Sequence, residues 1–179
     1  MTKGKKNLKI TVILAMLAAI SIICGKYLAI RGGDVMRFSL ENMPIIFAGI
    51  AFGPVAGAIV GVIADLIGCL MVAYPINPLV TVGAAVIGAV SGIVPMLLKK
   101  INLKEHWITV ITVAAAHLLG SVVIKTFGLA VYYDMPFFVL MLWRALNYLI
   151  VGSLDGAVVY LLMRNKGIKM QIKELGKGE

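Results

Sequence analysis

The sequence predicts an all-α integral membrane protein, a six-transmembrane-helix bundle with both termini in the cytoplasm, and three observations carry that prediction. First, 61% of the 179 residues are hydrophobic and 14% are charged, with a mean hydropathy of +1.00, far outside soluble globular usage. Second, a helix crossing about 30 Å of hydrocarbon needs roughly 20 apolar residues, so six of them consume nearly everything between Asn7 and Arg164. No room is left for a soluble catalytic domain. Third, Lys and Arg collect in short cytoplasmic loops. With the N-terminus inside, Lys3, Lys5, Lys6, Lys9, Lys99, Lys100, Lys104, Arg164, Lys166, Lys169, Lys173 and Lys177 fall on one side, twelve of the seventeen cations. The net charge of +9 therefore reads as topology, and its division into membrane-flanking clusters argues against a nucleic-acid partner.

In chain order the spans are read as 8–30, 40–53, 55–74, 78–98, 107–130 and 137–163, one transmembrane domain over 1–179 that ends in a basic cytoplasmic tail, 164–179. Span 1 starts like a signal peptide, but its apolar run is too long and lacks a small-residue cleavage site, so it reads as a retained span. Span 2 is too short for a full crossing. It tilts, extends upstream to Arg37, or is a half-span covered by its neighbours, because backbone exposed to lipid must be satisfied internally. Gly53-Pro54 marks the cytoplasmic turn into span 3, and Tyr74-Pro75-Ile76-Asn77-Pro78 the external turn into span 4. Small residues recur at four-residue spacing: Ala15 and Ala19 on span 1, Gly53, Gly57 and Gly61 leading to Asp65 on span 3, and Ala84, Gly88 and Gly92 on span 4. Such faces let helices approach closely, within one chain or between chains. Cys24 and Cys69 read as small residues buried in spans, with no disulfide or metal spacing around them.

Five cations stand outside the topology rule: Lys26, Arg31, Arg37, Lys125 and Arg144. They converge on the outer side. Span 5 runs outward and span 6 inward, which puts Lys125 about 8 Å and Arg144 about 10 Å below the outer ends, at 1.5 Å per residue. A cation inside a span costs several kcal/mol unless it faces a partner or a wet cavity, so each is a functional-site hypothesis. Blander readings stand beside it: Lys26 and Lys125 snorkelling to the interface, and Arg144 pairing structurally with Asp134 or Asp65. The acids on this side are Asp34, Glu41 and Asp134, which leaves a positive excess suited to an anionic ligand. His117, Ser121 and Lys125 form one stripe on span 5, and Arg144, Asn147, Tyr148 and Asp155 share a face of span 6, so both stripes are placed to line one cavity. Aromatic residues at the same level, Phe38 and Tyr74 among them, are interfacial belt residues or rings that stack on a flat ligand. Asp65 reads as a protonated acid, as a structural acid paired with Arg144 or Lys125, or as a ligand contact, and Asp155 reads as structural or interface-related. The chain carries no G-x-x-x-x-G-K-[ST] phosphate loop, H-E-x-x-H motif or nucleophile elbow. Enzyme and ATPase activity, a cofactor and a metal are therefore not expected.

The run from Arg37 to Gly68, RFSLENMPIIFAGIAFGPVAGAIVGVIADLIG, resembles the signature of spans 2 and 3 in the substrate-binding S components of energy-coupling factor (ECF) vitamin transporters. The following YPINPLVTVGAAVIG, Tyr74 to Gly88, is similar to the folate branch, and Ala15 and Ala19 match the family's span 1 docking motif. The resemblance implies a multi-pass subunit of a bacterial cell membrane that captures folate from outside at high affinity. It implies two kinds of partner, a transmembrane coupling protein and two ATPases, which drive inward release by toppling the subunit in the bilayer. It also implies substrate-binding roles for Arg37, Lys125 and Arg144, with Asn147 one turn on. Arg144 and Asn147 are assigned to the pterin, and Arg37 and Lys125 to the carboxylates. Phe38, Asp65, Tyr74 and Asn77 complete the expected set. Rival cargoes are pantothenate, riboflavin, biotin and queuosine precursors. A small channel or scaffold subunit is the remaining alternative, and the nearly apolar inner half speaks against an ion path.

Overall fold

The computed structural model describes residues 3–32, 36–101 and 103–176, and the side chains of 4–30, 38–101 and 103–175. Five helical segments are long and apolar enough to cross a membrane: Gly4–Tyr27, Pro54–Met71, Pro78–Ile101, Glu105–Tyr133 and Phe137–Arg164. A sixth apolar helix, Asn42–Phe52, is shorter. The elements are α1 (Lys3–Ile22), continued by a π-helical turn (Ile23–Tyr27), a hairpin of β1 (Ile30–Gly32) and β2 (Met36–Phe38), α2 (Asn42–Phe52), α3 (Pro54–Met71) and α4 (Pro78–Leu98). A second rod follows, made of α5 (Glu105–Ala116), a π-helical segment (His117–Ile124) and α6 (Lys125–Tyr133), and then α7 (Phe137–Arg164) and α8 (Lys166–Gly176).

Helix boundaries have local causes. Gly53 sits at φ 94°, a conformation that glycine adopts without strain, and Pro54 opens α3, where a missing N–H is no loss. Asn77 caps α4 by accepting from the backbone N–H of Leu79 (3.0 Å) and Val80 (3.4 Å). α6 stops at Asp134, which takes the left-handed conformation at φ 51°.

The second apolar segment departs most from expectation. It does not extend upstream to Arg37, because Met36–Phe38 pairs antiparallel with Ile30–Gly32, Arg31 opposite Arg37. These two three-residue strands also amend the all-α reading. α2 begins only at Asn42, and its 11 residues rise about 16 Å, roughly half a bilayer core. Asn42 and the run from Pro44 to Gly49 are buried, so the half-span is covered by its neighbours as lipid requires.

α4 is the central helix and packs on α2, α3, α5, α6 and the second π segment. Its seam with α2 and α3 is built from glycines. A Cβ on Gly49 would stand 2.5 Å from the Gly88 carbonyl oxygen, and one on Gly57, Gly61 or Gly88 would collide with the backbone of the facing helix. The four-residue spacing is thus an intramolecular contact, the van der Waals packing on which helix association in lipid depends. Around it Ile45, Ile46, Val60, Ala64 and Ile87 join Ala18 and Ile22 of α1, Val113 and Ala116 of α5, and Val159 of α7 in one apolar core. The basic segment after Arg164 is helical rather than extended. Ile168 and Ile172 of α8 pack against the core, Leu175 is buried, and Lys169 bridges Glu105 at 2.6 Å on the surface.

Candidate ligand-binding site

A cavity of about 570 Å³ lies between the helix ends remote from the termini, in the size range of small-molecule sites. Its volume follows from the low start of α2. Ser21 on α1 donates its hydroxyl to the Glu41 carbonyl at 2.6 Å. The rod of α1 and its π turn continues to Tyr27, about 9 Å further. Ser39 and Glu41 line the cavity from a non-helical lead-in, beside the stretch that carries Lys26.

Three cations line this space, one from each of three rods. Lys26, in the π turn after α1, runs over Gly68, where a Cβ would stand 2.7 Å from its Cε, and its ammonium lies 5.9 Å from the Tyr74 ring centre, within cation–π range. Lys125 is 5% exposed and pairs with Glu41, Nζ to Oε1 3.5 Å. Gly83 makes room for its stem, since a Cβ there would be 2.5 Å from the Lys125 Cγ. Arg144 donates from Nε (3.3 Å) and Nη2 (3.1 Å) to the Ser121 carbonyl, and from Nη2 to the Tyr148 hydroxyl at 3.4 Å. Its guanidinium carbon lies 5.4 Å from the Tyr148 ring centre. None of these bonds uses Nη1. Two carboxylates, Glu41 and Asp65, share the lining, so among the described lining residues one positive charge is in excess.

The structure brings Lys125, Arg144, Asn147, Asp65, Tyr74 and Asn77 to the cavity. Asp65 takes a hydrogen bond from the Thr81 hydroxyl (2.7 Å); neither Arg144 nor Lys125 is its partner among the described residues. Asn77 lines the rim, but its amide is committed to capping α4 and to the Gly128 carbonyl, Nδ2 to O 2.8 Å. Phe38 stands in β2 and does not line the cavity, and the side chain of Arg37 lies outside the described residues. Asp34 lies outside them too. The two polar stripes converge only in part. Lys125, Arg144, Asn147 and Tyr148 line the cavity, whereas His117, Ser121 and Asp155 are buried behind it. Ala15 and Ala19 are exposed on α1.

The residues 9–169 match the family model for the ECF transporter, substrate-specific component. The chain belongs to that family. The S component's fold recurs in solved structures. One is FolT bound with folic acid, 19% identical, TM-score 0.68, covering 89% of this chain and 92% of that one. Another is the S component of a bacterial ECF transporter, 19% identical, TM-score 0.66, covering 88% and 95%. A third is the S-component for biotin from an ECF-type ABC transporter, 19% identical, TM-score 0.68, covering 95% and 98%. No curated protein sequence matches this S component. S components are the substrate-binding subunits of transporters rather than enzymes. Among the described residues no group of three or more His, Cys, Asp or Glu is placed to hold a metal ion.

Several lining residues escaped the sequence reading, among them Ser39, Cys69 and Leu129. Tyr148 was legible, four residues after Arg144 on one face, and it lines the cavity as that stripe predicts. Glu41 was counted as an acid of the outer loop. Its pairing with Lys125 depends on where α2 starts, which no local pattern announces.

Proposed function

We propose that this S component captures folate at the outer face of a bacterial cell membrane, as a six-span chain with α2 as the short span and both termini cytoplasmic. Release inward takes place when it is docked on an ECF module of one transmembrane coupling protein and two ATPases. The observation that carries the folate reading is the mixed lining of the cavity. Lys26 and Lys125 suit the glutamate dianion, while Glu41 and Asp65 suit a ligand that also carries donors, as the pterin does at its amino and ring N–H groups. Tyr74, Tyr133 and Tyr148 offer rings to a flat heterocycle. The fold is shared with FolT and equally with the S-component for biotin, so the cargo reading rests on the lining.

Arg144 and Asn147, one turn apart on α7, are assigned to the pterin with Asp65 from α3. Arg37 and Lys125 are assigned to the carboxylates. Lys125 reaches a ligand carboxylate only by sharing its ammonium with Glu41. The test is equilibrium binding to the purified chain by intrinsic Trp fluorescence, with folate, biotin, pantothenate and riboflavin in parallel and no ATP present. Tight folate binding alone supports the reading; tight binding of biotin or another of the set, with folate inert, replaces the cargo.

Ala15 and Ala19 are assigned to the coupling-protein interface, since their exposed small face admits a closely packed helix. Ala19→Trp is expected to leave folate binding by the isolated chain unchanged and to abolish ATP-driven uptake of labelled folate in cells. Loss of binding together with uptake would instead place Ala19 in the fold.

A further inference from the structure

Behind the Arg144 wall lies a buried polar pair that ligand capture does not touch. His117 and Asp155 are 3% and 0% exposed, belong to different rods, and join Nε2 to Oδ2 at 3.0 Å. Neither lines the cavity. We infer that His117 and Asp155 are positioning residues that set the geometry of Arg144 from behind. This rests on the reading of Arg144 as a ligand contact.

Arg144 is held at two points, and both lead to His117. The first is the Ser121 carbonyl, which receives Nε and Nη2 together. In an α-helix that oxygen would take the N–H of Lys125. In the π segment the Lys125 N–H goes to the Gly120 carbonyl instead, so the widened turn opens the Ser121 oxygen to side chains, the Arg144 guanidinium and, at 3.3 Å, the Thr126 hydroxyl. π-helical turns of this kind frequently mark functional sites. His117 braces the same turn from within, Nδ1 to the Ser121 Oγ at 3.3 Å. The second point is Tyr148, whose hydroxyl accepts from Nη2. Its ring stacks on the His117 imidazole at 4.9 Å between centres and 30° between planes.

The imidazole itself has little freedom. A neutral ring satisfies both polar contacts with one tautomer, Nε2–H donating to Asp155 and Nδ1 accepting from Ser121. Gly152 backs the ring, since a Cβ there would stand 3.2 Å from its Cδ2. Oδ1 of Asp155 has no hydrogen-bond partner among the described residues, so the carboxylate is held through His117. Arginine brings a large rotamer entropy to any contact. A guanidinium fixed before the ligand arrives keeps more of its contact energy as affinity.

The test uses the full chain in detergent, with two variants. His117→Leu removes the ring, and His117→Leu combined with Asp155→Leu removes both partners so that no unpaired carboxylate stays buried. The first readout needs no ligand. The chain has four arginines, Arg31, Arg37, Arg144 and Arg164, so the Arg144 Nε–H resonance can be assigned by substitution in labelled protein. In the parent chain it is expected to be sharp and slow to exchange, and in both variants averaged towards free arginine. The second readout is folate affinity, expected to fall about tenfold in each variant and not at all when the same changes are made on Arg144→Ala, the non-additivity of groups acting through one residue. An unchanged Arg144 resonance in the folded variants, or an equal loss of affinity with and without Arg144, overturns the inference. If the parent chain ignores folate while the resonance behaves as stated, the cargo falls and the positioning role stands.

Discussion

Where α3 meets α4 the contact is backbone against backbone, with Gly57 and Gly88 leaving no space for one added carbon. Where the rod of α5 and α6 meets α7 the contact runs through side chains: His117 with Asp155, Tyr148 with His117, Arg144 with the Ser121 carbonyl. The first seam has nothing to rearrange and the second is made of groups that hold one another in place. Lys125, Arg144, Asn147 and Tyr148 reach the cavity from the second. The glycine seam supplies the fixed frame, and α4 links it to the rod of the second seam, packing on α2 and α3 and on α5 and α6.

That contrast breaks in a definite order of severity. Gly88→Ala is expected to do the most damage, because the new methyl meets the Gly57 backbone rather than a flexible side-chain end. A loss of about 3 kcal/mol, read as a much lower melting temperature in detergent, would mark the seam as the frame, and a near-native melt would mean that the helices can part at little cost. Arg144→Ala should act in the opposite sense, leaving the melt close to the parent while folate affinity falls about 100-fold. If affinity holds and stability drops, Arg144 belongs to the frame.

Asn77→Ala sharpens the comparison at the rim. With the α4 cap and the bond to Gly128 removed, about 1–2 kcal/mol of stability should be lost while folate affinity barely moves. A fall in affinity as deep as that of Arg144→Ala would return Asn77 to the ligand. The smallest effect is expected at the far end, where Lys169→Ala cuts an exposed bridge to Glu105. Exposed pairs contribute under about 1 kcal/mol, so a melt shifted by more would show that α8 is pinned by that pair rather than by Ile168, Ile172 and Leu175.

Much of the frame was legible because its causes are local. Asn77-Pro78 announces the start of α4, Gly53-Pro54 the turn before α3, and the glycine spacing the seam between them. The site was legible by type more than by geometry. Lys125, Arg144 and Asn147 were found as polar residues in apolar runs, which is a property of the chain alone. What escaped depends on partners far away in sequence. The π segment answers to Arg144, 23 residues on from the carbonyl it frees, and Lys125 answers to Glu41, with α2, α3, α4 and α5 between them in the chain. The short strands were hidden for a related reason, since three residues a side carry no readable alternation and the pairing of Ile30 with Phe38 is settled only when both ends arrive. Asn77 is legible in two ways at once, since it caps α4 and also lines the cavity. A polar residue in an apolar external turn signals a cap and a ligand contact equally well.

The low start of α2 has one more consequence. Ser21 holds that start through the Glu41 carbonyl, and Glu41 lines the cavity, so one wall of the cavity is tied to a helix boundary. Its depth is set by a boundary rather than by the bulk of individual side chains. One turn more or less before Asn42 would raise or lower the floor by about 5 Å and leave the glycine frame beneath untouched. In this chain the start of α2 therefore serves as a ruler for the depth of the cavity.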